Sequence, residues 1–192
     1  MDAQETIRTR RSISRLVEPA PTDDELRLIL EAAVCAPDHE ELRPWRFVVL
    51  SGQAKEDFGQ VLHDTYVERC RLQGVTPTDG QLNKERTKLG RAPLVVVAVA
   101  VRNVETAIPW IEQQLAVGAA CQNALLACAS LGYGGMWRTG DPAYDSAVIS
   151  ALGFEGEAAI IAFLYIGTPT DMSTKPPHDP SLDGVVTHWT AG

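Results

Sequence analysis

Arg10, Arg11 and Ser12, with Arg15 close behind, place two guanidinium groups and a hydroxyl at the end of a short helical pattern. A planar guanidinium offers a bidentate fork of N–H donors and the hydroxyl adds one more, the equipment for gripping a phosphate or another anionic edge. The same residues would also suit a solvated helix end with surface ion pairs, so this stretch alone leaves both open. Asp38, His39, Glu40 and Glu41 form a second run of polar side chains. A metal site needs a further, separated contributor, and neither HExxH nor paired Cys/His spacing occurs, so no metal is expected. His39 could act as a base toward Cys35. That thiol, however, falls in an apolar helical turn with nothing to lower its pKa, and it is expected to be buried and inert. His63, His178 and His188 are isolated and are assigned to the surface or to structure.

The glycines at 132, 134 and 135 follow a helical pattern and precede a strand, the reverse of the order that a dinucleotide-binding GxGxxG site requires. Gly132 reads as a helix C-cap and turn. GxxxxGK[ST] is absent, so a nucleotide, if bound, is held by another device.

These residues must be positioned by alternating helices and strands. Gln4–Thr9 is a short helix. Thr22 with Glu25 three residues on is a capping signature, and Leu26, Ile29, Leu30, Ala33 and Val34 continue it at helical spacing until Pro37. Arg46–Leu50 reads as a short buried strand, and Ala54–Arg71 as a helix with Phe58, Val61, Leu62, Tyr66 and Cys70 on one face. Thr76–Arg91 is polar, a loop plus a solvated helix and the segment expected to move most. Leu94–Val101 is apolar without alternation, as in a central strand covered on both faces. Ile108–Leu131 is a long helix rich in small residues, apolar around its circumference and so expected at or beside a two-fold contact. The chain then returns through Gly132–Trp137 as a short strand, Pro142–Leu152 as a helix and Ala159–Ile166 as a second apolar strand. Val185–Trp189, beyond a Pro-rich stretch, has strand character and could pair far away, including with another subunit. The pattern is α+β, with helices on both faces of one sheet.

With 192 residues and no composition shift, residues 1–192 are expected to form a single domain. Hydrophobic residues at 45% and charged residues at 22% are those of a globular protein with a real core. The 25 acidic against 17 basic residues give a net charge of -8 without any basic run, which argues against nucleic acid as a partner. No signal peptide or membrane-spanning run is evident, so the expectation is a cytoplasmic protein. Cys35, Cys70, Cys121 and Cys128 contain no CxxC pair, and all four are expected to be free thiols.

Taken together, Arg10-Arg11-Ser12, Pro37-Asp38-His39 followed by Pro44-Trp45, the Gly134–Gly140 element Gly-Gly-Met-Trp-Arg-Thr-Gly, and Phe163–Pro169 resemble the nitroreductase family of FMN-dependent oxidoreductases, in its compact bacterial NAD(P)H form. Order and spacing are kept from Arg10 to about Pro169. The resemblance implies a nitroreductase-like α+β fold, a central mostly antiparallel sheet with helices on both faces and a C-terminal segment exchanged in a homodimer. It implies FMN held non-covalently at the subunit interface, with NAD(P)H as electron donor. By the same resemblance, Arg10, Arg11 and Ser12 contact the phosphate, ribityl and pyrimidine side of the flavin. Asp38 and His39 come from the partner subunit, and Gly135, Met136, Trp137, Arg138 and Thr139 lie along the isoalloxazine. Chemistry at flavin N5 needs no protein acid or base. Many members have Ser and Asn where Asp38 and Glu41 stand, and a basic pair after the last strand where Lys175 is the one candidate here. The implied activity is hydride transfer from NAD(P)H through the flavin to a nitroaromatic, quinone or enone-like acceptor. A flavin-fragmenting or dehydrogenase branch, or a flavin-binding protein without turnover, are the alternatives.

Overall fold

The computed structural model describes residues 2–170 and 180–190. Its centre is an antiparallel sheet in the order β1-β5-β3-β2, with β1 at Leu16–Val17, β2 at Trp45–Ser51, β3 at Leu94–Val101 and β5 at Ala158–Pro169. A further strand, β4 at Gly134–Arg138, pairs antiparallel with β5 over Gly134↔Gly167 to Arg138↔Phe163.

The unbroken apolar run of β3 is explained by its position between β2 and β5, with helices over both faces. Successive strand side chains point to opposite faces. Leu94, Val96, Ala98 and Ala100 therefore enter one core, with Ile29, Ala33, Val117 and Ala120. Val95, Val97 and Val99 enter the other, with Phe58, Leu62, Leu89 and Val148. A register shift between Ala98 and Val99 leaves Ile161 without a partner on β3. This extra residue reverses the phase of β5, so Ile160 and Ala162 face opposite cores although they are two apart.

The first core is roofed by α2 (Asp23–Val34) and α5 (Trp110–Ser130), the second by α3 (Gly52–Leu72) and α6 (Ser146–Ala151), with α4 (Asp79–Thr87) packed against α3. The Thr22 capping box forms, with Glu25 N–H donating to Thr22 Oγ1 at 3.3 Å and Thr22 N–H donating to Glu25 Oε2 at 2.9 Å. Gly132, at φ 88°, ends α5 as a C-cap glycine, and the next N–H, from Tyr133, returns to the Cys128 carbonyl at 2.9 Å. The small residues of α5 let it lie close on the sheet. Among the described residues, no helix is long and apolar enough to cross a membrane.

The structure departs from expectation in several places. Pro142–Leu152 is not one helix: a 3-10 turn at Asp141–Tyr144 is followed by α6, which restarts where Asp145 caps Ala147 N–H at 3.0 Å. Arg69 holds that cap by an ion pair of 2.8 Å with Asp145, a tertiary contact that no local pattern announces. Cys35 is exposed at the end of α2, not buried, because the helix stops before its apolar face can turn Cys35 inward. Cys70, Cys121 and Cys128 are buried, all four thiols are free, and burial pushes Cys121 and Cys128 up to about 12. Thr76–Arg91 forms the expected loop and solvated helix, α4, which has no buried residue and packs against α3. Gly59 lies so near that a Cβ there would meet the Arg86 carbonyl oxygen at 2.2 Å. Val185–Trp189 pairs with no strand of the described residues and is exposed, Trp189 to 86%. Lys175 and His178 lie outside the described residues.

Candidate functional site

α1 (Ala3–Thr9) ends at Arg10, and the chain then runs beside β4. Ser12 forms a parallel bridge with Gly135, and Ile13 N–H donates to the Gly135 carbonyl at 3.1 Å. Residues more than 120 apart in sequence are thereby joined through their backbones. A Cβ at Gly135 would lie 2.6 Å from Leu125 Cδ2, so any larger residue there requires Leu125 to shift. Gly134 is equally confined by Leu16 Cδ2 at 2.6 Å.

The two guanidinium groups behave differently. Arg11 Nη1 donates to the carbonyls of Arg8 and Arg10, each at 2.7 Å, and its Nε is buried without a partner. Arg10 is half-buried, and its side chain makes no hydrogen bond or ion pair among the described residues. Together with Thr9, Leu125, Tyr133 and Gly135, the arginines line a cleft of about 240 Å³ that no carboxylate enters. Tyr133 donates its hydroxyl proton to Glu25 at 2.8 Å. Glu25 is held below the usual carboxylate range chiefly by the Thr22 backbone N–H and then by Tyr133, although burial opposes this.

The other end of β4 opens into a cavity of about 380 Å³ lined by Met136, Trp137, Arg138, Thr139, Phe163 and Tyr165. Lys84, Lys88 and Arg91 complete its wall, and no acidic residue lines it. Lys88 is paired with Glu85. Lys84 and Arg91 have no described partner, and the Arg138 guanidinium lies 5.7 Å from the centre of the Tyr165 ring. Burial pushes the Tyr165 hydroxyl up, against the influence of Arg138. Gly135 and Thr139 are separated by four strand steps, about 13 Å, and the two openings share no lining residue: the arginine cleft lies on the α5 side of β4 with Leu125 and Ala129, and the cation-rimmed aromatic cavity on the α3 side with Leu62 and Leu89.

The fold thus assembles Arg10, Arg11, Ser12, Gly135, Met136, Trp137, Arg138 and Thr139 along one strand. It does not bring Asp38 and His39 there. These sit on the 3-10 turn His39–Glu41, where His39 Nδ1 bonds Glu112 Oε2 at 2.8 Å. Glu112 is in the first turn of α5, whereas the arginine cleft meets Ala129 near its last, a rise of roughly 25 Å. Asp38 Oδ2 accepts the Arg43 N–H at 2.5 Å and so braces its own turn. Trp110 packs with the α2 and α5 core and lines neither opening. Lys84, Lys88 and Arg91 carry no site motif in the sequence. Their only signal was basic residues in a polar helix, which solvation explains equally well.

The family described as Nitroreductase family matches residues 7–168. YdjA of Escherichia coli strain K12, named by inference as an NAD(P)H nitroreductase, is 37% identical over 88% of this chain and 89% of its own. A Bacillus cereus crystal structure described as a nitroreductase-like family protein superposes with a TM-score of 0.82 at 19% identity, over 100% of this chain and 97% of that one. A Desulfovibrio desulfuricans structure, described by inference as a nitroreductase in complex with FMN, has a TM-score of 0.72 at 24% identity, over 100% and 99% of the two chains. With a family match over residues 7–168 and a relative 37% identical over most of both chains, the chain belongs to the nitroreductase family.

Proposed function

We propose that this protein is an FMN-dependent oxidoreductase that takes reducing equivalents from NAD(P)H and passes them to a small nitroaromatic, quinone or enone-like acceptor. One observation carries the proposal: along β4 and its neighbours the chain sets Arg10, which has no partner among the described residues, beside Gly135, and a cation-rimmed aromatic cavity at Met136–Thr139. The donor set fits FMN. A phosphate suits Arg10 and the exposed Ser12 hydroxyl, a flat ring suits Trp137, Phe163 and Tyr165, and no carboxylate lines either opening to repel an anion. The FMN of the Desulfovibrio desulfuricans structure and the NAD(P)H in the name of YdjA support the cofactor and the donor. When bound, FMN supplies hydride transfer at N5, with negative charge gathering near N1 and O2 of the reduced ring. Lys84, Arg91 and Arg138 would surround the isoalloxazine with positive charge, while Met136, Trp137 and Thr139 would orient the ring and narrow the space left to an acceptor.

The remaining contacts, Asp38 and His39, would come from a second copy. Three surfaces support a homodimer. The outer edge of β2 is unpaired, Ile111 and Leu115 of α5 are 57% and 63% exposed, and Val185–Trp189 is an exposed apolar segment. Pairing the C-terminal segment of one protomer with the β2 edge of the other would cover both. Four free thiols suit the reducing cytoplasm.

Purified protein should be yellow, bleach under anaerobic NADH or NADPH and regain colour when a nitroarene or quinone is added. Protein that takes up no FMN in equilibrium dialysis would refute the cofactor, and bound flavin that neither nicotinamide reduces would refute the enzyme. Sedimentation at micromolar concentration should give twice the chain mass, and a stable monomer would leave the second half of the site without a source.

A further inference from the structure

The turn that carries His39 is held in an unusual backbone. Glu40, Glu41 and Arg43 have φ of 57°, 52° and 49°, the left-handed region that side-chain-bearing residues avoid. Such geometry persists where its surroundings impose it and where function needs it. The Asp38 to Arg43 bond and the Arg46 Nη1 bond to the Arg43 carbonyl at 3.0 Å act within the turn and the strand that follows. The side-chain bond that ties the turn to a helix is His39 Nδ1 to Glu112 Oε2, at 2.8 Å and across 73 residues of sequence. Both groups are half exposed, and an ion pair at such a surface does little for stability. Its effect is on the ring.

Bonding at Nδ1 leaves Nε2 on the open side of an exposed imidazole. What Nε2 offers depends on the proton count. In the neutral ring with Nδ1–H on Glu112, Nε2 is a bare acceptor; in the imidazolium it is a donor carrying positive charge. The groups facing the ring all favour the second form: Glu112 from α5, and Glu40 and Asp38 from its own turn. The Glu112 hydrogen bond raises the His39 pKa most, against a smaller effect of burial.

We propose that Glu112 is a positioning residue for the flavin site, fixing the His39 ring so that Nε2 is presented as a charged donor to the FMN bound on the partner subunit. This rests on the reading of His39 as a contact donated across the dimer. Glu112 itself touches no cofactor. A donor at that position matches an electron-rich ring edge or phosphate, whereas the bare acceptor repels it.

The test uses the full chain with Glu112→Gln, which keeps shape and a hydrogen-bond acceptor but removes the charge. NMR titration of His39 should show its transition moved to lower pH. FMN affinity by equilibrium dialysis should be unchanged in acid and up to about fivefold weaker near neutrality, the scale of one exposed charge interaction. His39→Asn should weaken FMN binding and keep only the pH dependence of the FMN phosphate, whose second ionisation lies at about pH 6, and adding Glu112→Gln should then have no further effect. An unchanged His39 transition in Glu112→Gln, or a Glu112→Gln effect that persists in the His39→Asn background, would overturn the positioning role. Wild-type FMN affinity of His39→Asn at every pH would instead remove His39 from the flavin site, and the underlying reading with it, even if the ring still responds to Glu112.

Discussion

Arg10–Ile13 and Asp38–Arg43 are both short polar connections that follow a helix, and both carry candidate flavin ligands, yet they are held by opposite means. The first lies in extended backbone against β4, its Ile13 N–H bonded to the Gly135 carbonyl, and its own chain supplies everything it needs. The second doubles back through three left-handed residues, is braced by Asp38 and His39, and leaves the side chains of His39, Glu40, Glu41 and Arg43 exposed. A segment that docks on its own sheet can be organised before any ligand arrives. A strained, outward-facing turn leaves its side chains available to something outside its own chain, as the proposed homodimer requires. That difference is the physical case for a site shared between two copies.

The largest expected effect is at the docked segment. Arg10→Ala should cost about 1.5–3 kcal/mol of FMN affinity, the worth of a charge-assisted hydrogen bond, whereas Arg11→Ala should cost far less because its Nη1 is already committed to two carbonyls. Equilibrium dialysis of both variants checks the order, and equal losses would mean that Arg11 is released on binding. Next, Gly135→Val should destabilise the fold by about 1–2 kcal/mol through its collision with Leu125, lowering the melting temperature by roughly 2–8 °C. A melting curve that coincides with wild type would show that Leu125 yields and that the docking is loose.

At the turn, the sign reverses. Glu41→Gly should stabilise the fold by about 0.5–1 kcal/mol, since relief of a left-handed residue outweighs the extra chain entropy of glycine. Chemical denaturation reads this directly, and destabilisation would show that the Glu41 side chain contributes an interaction of its own. The smallest effect is in pH. The folded state raises the His39 pKa through its bond to Glu112, so the pair's contribution is complete below the ordinary imidazole value and fades as pH rises through the raised one. The melting temperature should therefore sag slightly from mildly acidic to mildly alkaline pH in wild type, by more than in His39→Asn. Identical pH profiles for the two proteins would show that this pair is neutral in stability.

Much of the framework was legible because its signals are local. The Thr22 and Glu25 box, the C-cap at Gly132 and the two-faced burial of Leu94–Val101 each follow from residues within a few positions of one another. What failed depended on distant partners. The break inside Pro142–Leu152 needs Arg69 from α3 to hold Asp145, and the two-residue strand β1 exists only because the end of β5 lies alongside it. The site divides in the same way. Arg10 and the Gly134–Gly140 element were visible as motifs, whereas Lys84, Lys88 and Arg91 became candidates only when α4 and the turn after it were seen beside β4.

From its residues alone, this chain determined an α+β framework and the types of groups able to meet an anionic cofactor, because helical period, strand burial and caps are encoded within a few residues. Tertiary structure decided which of those groups are available. Arg10 and Arg11 are adjacent and chemically identical, but one guanidinium is turned onto backbone carbonyls and the other has no described partner. His39 is one imidazole in a polar run until α5 sets Glu112 against it. The physical reason is that hydrogen bonds and charge act through space over a few ångströms, and the neighbours at that range are chosen by how helices pack on the sheet, not by their order along the chain.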